Sequence, residues 1–507
     1  MNSIPLLARA LAAVLATTLS LQSIAATALP ELGNAAAGSL SPALEKQIGQ
    51  EALAAFRFQD PAYIDDPEVE SYLASIGARL AASGKTGDRN FTFFALKDPG
   101  INAFAMPGGV IGVHSGLINT SQSESELAAV IAHEMAHVTQ HHIGRSINQQ
   151  SGSTAVLIAS LLIAVLAARN SPTAAEAAIA GGQAAMLQNQ LNYSRDFERE
   201  ADRVGLQILE TGGFDPQAMP MFFERMRQAY HGEGDAPAYL RTHPLTNERI
   251  SDVQGRVRTL PYRQVPDSIE YALIKAKLAV LHETTRETIA RLRDKQGGRL
   301  LDKAARHYAL TLAYIADRNE TEARRSYAAL SALKLKTPMV ATLGGQLELA
   351  RGHGNDAAKL CSEARISYPG WRALDACVAE GLLAAGDGNG ALASINERLA
   401  TQTDDYRLYK LQAKIYTALD KPALAHRALS HVFQQHGMLR PAIEQMQLAQ
   451  RSKGASAHEE SAIDARLREL RAKMCDELGG KLSSESHPEG GRAGKRRDPD
   501  RCDKLAP

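Results

Sequence analysis

From about residue 265 onward the sequence repeats itself every 34 residues, and this period limits the possible folds more than any other feature of the chain. Ala316, Ala350, Ala384 and Ala418 fall in register, as do Ala323, Ala357, Ala391 and Ala425. Between the two columns stand turn-like positions held by Arg318, Gly352, Gly386 and Asp420, and an apolar position recurs at Tyr327, Cys361, Ile395 and Leu429. Small residues at fixed intervals let two helices approach closely, so each unit reads as a helix, a turn and a second helix. A unit this small cannot bury its apolar face alone and has to stack on its neighbours. The concave surface of such a stack is suited to holding other proteins.

This helix-turn-helix period resembles the tetratricopeptide repeat family, by period rather than by full consensus. Two alanine columns held through four units weigh against an irregular bundle. At 507 residues the chain has room for a further domain ahead of the repeats. Lys and Arg total 57 against 56 Asp and Glu, a net charge of +1, which gives no electrostatic case for a nucleic-acid partner. The first residues carry one cation, Arg9, an apolar run from Ala10 to Leu21 and the small-residue sites Ser23-Ile24-Ala25 and Ala26-Thr27-Ala28, so 1–28 reads as a cleaved export signal. As an anchor the run falls short of the roughly 20 apolar residues a spanning helix needs. Export implies an oxidising compartment. Cys361, Cys377, Cys475 and Cys502 lack the CxxC pairs of structural zinc sites, and Cys361 with Cys377, on adjacent units, is the preferred disulfide. Residues 476–507 are rich in Ser, Gly, Pro and mixed charge, including Lys495-Arg496-Arg497, and read as a disordered tail.

Ahead of the repeats, residues 42–88 have helical patterning. Phe91 to Leu96 begins a strand-rich stretch in which the turns Asp98-Pro99-Gly100 and Pro107-Gly108-Gly109 frame two more strands, Ile101–Met106 and Val110–His114. A three-stranded antiparallel meander is expected. Ser121 followed by Glu124 resembles a capping box, which predicts a helix from about Ser121 to His142. The segment TAVLIASLLIAVLAA, 154–168, is apolar on every face. A buried helix is expected there, with a lid or a peripheral membrane contact as the functional alternative. Another helix is predicted from about Tyr193 to Leu209.

Chemistry concentrates in HEMAH, residues 133–137. Four residues apart on a helix, His133 and His137 share a face, where both imidazoles reach a single zinc ion while Glu134 stands beside them. One zinc per chain is expected, because zinc takes neutral nitrogen ligands and keeps a position for water. A carboxylate next to that water can accept its proton as it attacks a carbonyl. Two histidines do not complete such a site. His141 lies about 12 Å from His133 along the helix axis, too far to share an ion bound at about 2.1 Å, so His141 and His142 read as surface residues. Gln140 stands where the metzincin pattern needs glycine, which excludes that class. The remaining source is a carboxylate on another helix, and YSRDFEREADRVG offers Glu198 with Asp202 one turn later, while Glu200 points elsewhere.

HEMAH followed by EREAD resembles the M48 family of zinc metallopeptidases. By that resemblance Glu198 is the third ligand and Asp202 a catalytic-site residue that orients a ligand imidazole. NAFAMPGG, 102–109, and THPLTNERI, 242–250, extend the resemblance over 42–260. The first implies an edge strand on which a peptide substrate pairs, with Asn102, Ala103 and Phe104 as substrate-binding residues. The second brings His243 to the site, either to stabilise an oxyanion or as a fourth metal ligand that makes the enzyme latent, and gives Arg249 an anchoring role.

The implied architecture is α+β and mostly helical. A gluzincin-like metallopeptidase domain with a small antiparallel sheet, 29–262, precedes an all-α tetratricopeptide-repeat solenoid, 263–475. This order of parts is similar to M48 members of the Gram-negative periplasm. It implies hydrolysis of misfolded or stalled outer-membrane proteins, with the repeats docking unfolded substrate or the outer-membrane assembly machinery. A chaperone-like binding protein with a latent protease site is the alternative, and a non-peptidase metal hydrolase ranks behind both because small substrates need no pairing strand.

Overall fold

The computed structural model describes residues 41–149, 195–229 and 237–484, apart from 83, 85 and 87–89. The expected signal, the apolar stretch 154–168 and the tail beyond 484 lie outside the described residues. The first elements are α1 (Pro42–Gln59), α2 (Pro67–Ala81), β1 (Thr92–Leu96), β2 (Ala103–Met106), β3 (Val110–His114), α3 (Ser115–Thr120), α4 (Glu124–Thr139) and α5 (His142–Gln149). They are followed by α6 (Arg195–Thr211), α7 (Ala218–Ala229), α8 (Ala238–Thr242) and α9 (Asn247–Val257).

The strands fall where the sequence predicts them, but they do not form an antiparallel meander. The sheet is mixed, in the order β1-β3-β2, with β1 parallel to β3 and β2 antiparallel to it. The cause lies in the first connection. Asp98-Pro99-Gly100 folds against the start of α3 instead of closing a hairpin: the Asp98 amide donates to Ser115 Oγ at 3.1 Å and the Gly116 amide to the Asp98 carbonyl at 2.8 Å. Gly116 is required there, since a Cβ would lie 2.1 Å from the Pro99 carbonyl oxygen. The outer side of β1 is partly covered by the Ala62–Ile64 segment, through Ile64 N–H to the Ala95 carbonyl at 3.0 Å.

The helix α4 is buried on every side, with Leu127, Val130, Ile131, Ala132, Met135 and Ala136 in the core. Its cap is Ser123, two residues later than predicted, whose hydroxyl accepts from the Glu126 amide at 3.2 Å. Glu126 in turn accepts from the Gln122 amide at 2.6 Å. Ser121 is taken up elsewhere, by the Ile118 carbonyl and the Tyr271 hydroxyl. The helix also stops short of His142: Gln140 caps it and His141 turns left-handed at φ 53°.

After an irregular stretch the chain becomes wholly helical: α10 (Ile269–His282), α11 (Thr285–Leu292), α12 (Leu300–Ala316), α13 (Glu320–Ser331), α14 (Pro338–Ala350), α15 (Gly354–Ser367), α16 (Arg372–Ala384), α17 (Gly388–Leu399), α18 (Tyr406–Ala418), α19 (Pro422–Gln435), α20 (Leu439–Arg451) and α21 (Ala457–Ser484). The period has a direct structural expression. The first alanine column ends α12, α14, α16 and α18, and the turn residues Arg318, Gly352, Gly386 and Asp420 all have positive φ, between 53° and 86°. The second column, Ala323, Ala357, Ala391 and Ala425, is buried where the paired helices meet. Cys361 of α15 and Cys377 of α16 form the expected disulfide, with Cα atoms 6.0 Å apart. The last helix continues to Ser484 although the tail was expected from 476 onward: the helix-favouring run through Lys473 carries past Gly479 and Gly480. No helix among the described residues is long and apolar enough to cross a membrane.

The two parts share one core. Tyr271, Ile274, Leu278, Tyr308, Met339 and Leu343 join Leu73, Ile76 and Leu127 in a single apolar cluster, so the expected boundary at 262/263 is a break in the helices and not in the packing.

Candidate metal centre

α4 presents His133, Glu134 and His137, all buried. Opposite them α6 presents Glu198 and Asp202. The two helices touch at Gly205, where a Cβ would lie 3.1 Å from His133 Cα and 3.2 Å from the Ala132 carbonyl oxygen. This close approach is what brings carboxylates from a distant part of the chain to the histidine pair. His243 enters from the end of α8, its ring stacked on Tyr239 with centroids 4.8 Å apart.

Four side chains converge: His133, His137, Glu198 and His243. His133 Nε2 and His137 Nε2 are 3.0 Å apart, His133 Nε2 and His243 Nδ1 3.4 Å, His137 Nε2 and Glu198 Oε1 3.4 Å, and His243 Nδ1 and Glu198 Oε1 3.1 Å. Four ligands held tetrahedrally about 2.1 Å from one ion would stand about 3.4 Å from each other, so the donor set fits a zinc-sized cation. The far sides of the rings fit the same reading. His133 Nδ1 faces Asp202 Oδ1 at 3.0 Å and His137 Nδ1 faces His142 Nδ1 at 2.8 Å, which turns both Nε2 atoms inward.

The charges are arranged to match. Burial alone would push Glu198 toward neutrality, but His243, His133 and Arg249 hold it well below the ordinary carboxylate range. Asp202 is likewise buried and likewise lowered, because Arg249 grips it with Nε and Nη2, both at 2.7 Å, while Nη1 reaches Glu198 Oε2 at 2.7 Å. That bidentate contact agrees with the anchoring role expected of Arg249. Burial opposes a charge on His133, but hydrogen bonds to Asp202 and Glu198 outweigh it and raise its pKa to about 9. Glu134 is pushed upward by burial, with His243, His133 and the Ala105 amide countering, and its Oε1 lies 3.4 Å from His243 Nε2.

The strand β2 packs against α4. The Asn102 carbonyl accepts from the His114 amide at 3.0 Å, and alternation along the antiparallel ladder then turns the backbone groups of Ala103 and Ala105 away from β3. Of the three residues expected to bind substrate, only Ala103 thus turns its main chain to the side of β2 away from β3, and the whole residue is buried there. Asn102 and Phe104 pair inward. The Asn102 side chain is fully buried and makes no hydrogen bond among the described residues, and the Phe104 ring packs over Gly112.

Two residues were misread. His142 is not on the surface: it is fully buried, stacked on Phe197 with centroids 4.6 Å apart, because the chain reverses at His141 and does not extend α4. His141 is partly buried, its Nδ1 3.5 Å from Glu45 Oε1. Glu200 does point away from the centre, as expected, but toward His142 Nε2 at 3.2 Å and Arg145 at 2.8 Å. Three acids at alternate positions in EREAD were the available signal.

Residues 67–257 match Peptidase family M48. Over 250 residues the chain is 41% identical to the putative beta-barrel assembly-enhancing protease of Vibrio cholerae, covering 49% of this chain and 51% of that one. Against the beta-barrel assembly-enhancing protease of Escherichia coli it is 30% identical over 448 residues, 88% of this chain and 92% of the relative. The mitochondrial metalloendopeptidase OMA1 of Schizosaccharomyces pombe is 33% identical over 197 residues, 38% and 54% of the two chains. The chain thus spans about half the length of the first and third of these relatives and nearly all of the second.

Proposed function

Since the chain belongs to peptidase family M48, and is therefore a metalloendopeptidase, we propose that it is a zinc-dependent enzyme of the periplasm that cleaves misfolded or stalled outer-membrane proteins. The observation that carries the reading is the convergence of His133, His137, Glu198 and His243 with Glu134 alongside. Zinc bound there would polarise the scissile carbonyl and acidify a water molecule. Glu134, alongside, would serve as the general base that takes a proton from an attacking water and hands it to the leaving amine. Asp202 orients the His133 imidazole. A peptide chain pairs with the edge of β2 that Ala103 and Ala105 turn away from β3. The gluzincin-like class of the first domain and the tetratricopeptide character of the helical pairs are part of this proposal. So is the docking of substrate or assembly machinery on the repeats. The names of the Vibrio and Escherichia relatives support a role in beta-barrel assembly.

One observation favours a second reading. His243 Nδ1 stands among the donors rather than outside them, which supports a latent centre and a chaperone-like use of the repeats. The test pairs zinc analysis with degradation of an unfolded outer-membrane protein. The main reading requires about one zinc per chain, cleavage by wild type, and a Glu134→Gln variant that keeps zinc and stops cleaving. Faster cleavage by His243→Ala supports the latent version, whereas cleavage by the zinc-free chain overturns the mechanism.

A further inference from the structure

EREAD places carboxylates at three alternate positions of α6, and each ligand histidine of α4 is tied to one that is not itself a ligand. Asp202 reaches His133 directly and is gripped by Arg249. Glu200 leaves α6 on another side, where Arg145 holds it at 2.8 Å, and meets His142 Nε2 at 3.2 Å; His142 Nδ1 then lies 2.8 Å from His137 Nδ1. The path runs from carboxylate to histidine to ligand histidine.

We propose that Glu200 and His142 form a positioning relay that fixes the proton of His137 on Nδ1 and leaves its Nε2 lone pair for the metal. This deepens the metal centre proposed above and rests on it. A carboxylate can only accept, so His142 carries its proton on Nε2. Its Nδ1 is then an acceptor, and two ring nitrogens 2.8 Å apart share one proton, which must come from His137. The backbone makes this geometry possible. Continued as a helix, His142 would lie five residues and about 140° around the axis from His137, facing away from it. The left-handed His141 swings it back, and the Phe197 ring fixes its plane, 10° from parallel. Interposing a neutral ring also has an electrostatic effect. The Glu200 side chain remains 25% exposed, so no further carboxylate is buried beside Glu198 and Asp202.

The test measures zinc affinity of the full chain by chelator competition, in wild type, His142→Phe, His142→Asn and Glu200→Ala, with thermal unfolding of the zinc-free proteins alongside. Phe keeps the stack and loses the acceptor, and it should weaken binding by about ten- to a hundredfold, as loss of an outer partner of a metal ligand does. Asn loses the stack, but its Oδ1 can accept from His137 Nδ1–H, so it should stay within about threefold of wild type. Glu200→Ala should cost about tenfold. Wild-type affinity in His142→Phe, or an equal loss in His142→Asn, overturns the relay. If His142→Phe does not fold without zinc, Glu200→Ala decides, and unchanged affinity there overturns it too. A wild-type chain that takes up no zinc would instead overturn the metal centre itself, so the two failures are distinct.

Discussion

Arg249 holds two buried carboxylates at once, and its own exposure is only 3%. Removing it takes the only arginine from Asp202 and Glu198 among the described residues and leaves two buried carboxylates with imidazole partners alone, a change that typically costs about 3–5 kcal/mol. Arg249→Ala should therefore lower the stability of the zinc-free protein by that amount in denaturant unfolding. Arg249→Lys, with a single point charge in place of a planar fork, should recover only part of it. A loss below about 1 kcal/mol would mean that the pair is solvated and not buried. Residue by residue, the site was legible where geometry is local. His133, Glu134 and His137 follow from helical spacing, because little more than one turn of a single helix fixes their relation. Glu198 needed the resemblance, because nothing local links it to residue 133. His142 was misread for the converse reason. The helix was extended past Thr139, and no Gly or Pro marks the point at which His141 reverses the chain.

At the level of elements, contact between α4 and α6 decides whether the ligands meet at all. Gly205→Ala would put a methyl group 3.1 Å from His133 Cα, closer than packed helices allow without shifting. We expect it to cost about 1–3 kcal/mol and to weaken zinc binding, read by denaturant unfolding and chelator competition on one preparation. An effect on stability alone would separate packing from ligand placement. In the repeats the strained positions point the other way. Arg318 occupies the turn that Gly352 and Gly386 fill in later units, at φ 55°. Arg318→Gly should thus stabilise the chain by up to about 1 kcal/mol, visible as a raised midpoint in urea. The repeat pairs were readable because period, turn residue and small-residue column agree with one another. Sheet order was not readable. Strand positions depend on local residues, whereas the exchange of β2 and β3 depends on Ser115 and Gly116 capturing the Asp98 turn.

Across the whole molecule the repeats are fastened to the catalytic part through the acidic start of α2. Glu68 receives Lys277 at 2.7 Å, Tyr308 at 3.1 Å and Trp371 at 3.4 Å. Arg407 of α18 forks onto Glu70 at 2.8 and 2.9 Å and also reaches Asp65, which the Tyr406 hydroxyl shares. The shared apolar cluster makes this a fixed mount rather than a hinge. Its stability should depend on pH in a definite direction. Burial would raise the Glu70 pKa, but Arg407 and Arg57 lower it below its ordinary 4.5, and Asp65 is lowered by Arg407 and Tyr406 below 3.8. For a carboxylate depressed by folding, the stabilisation is complete above the unfolded-state pKa and disappears as pH falls through the folded one. The contribution is therefore constant near neutrality and fades below about pH 4.5. Arg407→Met removes the largest lowering cause of both shifts, so between about pH 7 and pH 3 the wild type should lose more stability than the variant, with the curves converging at the acid end. Parallel curves in urea unfolding over that range would show that the carboxylates of α2 are not what fastens the repeats.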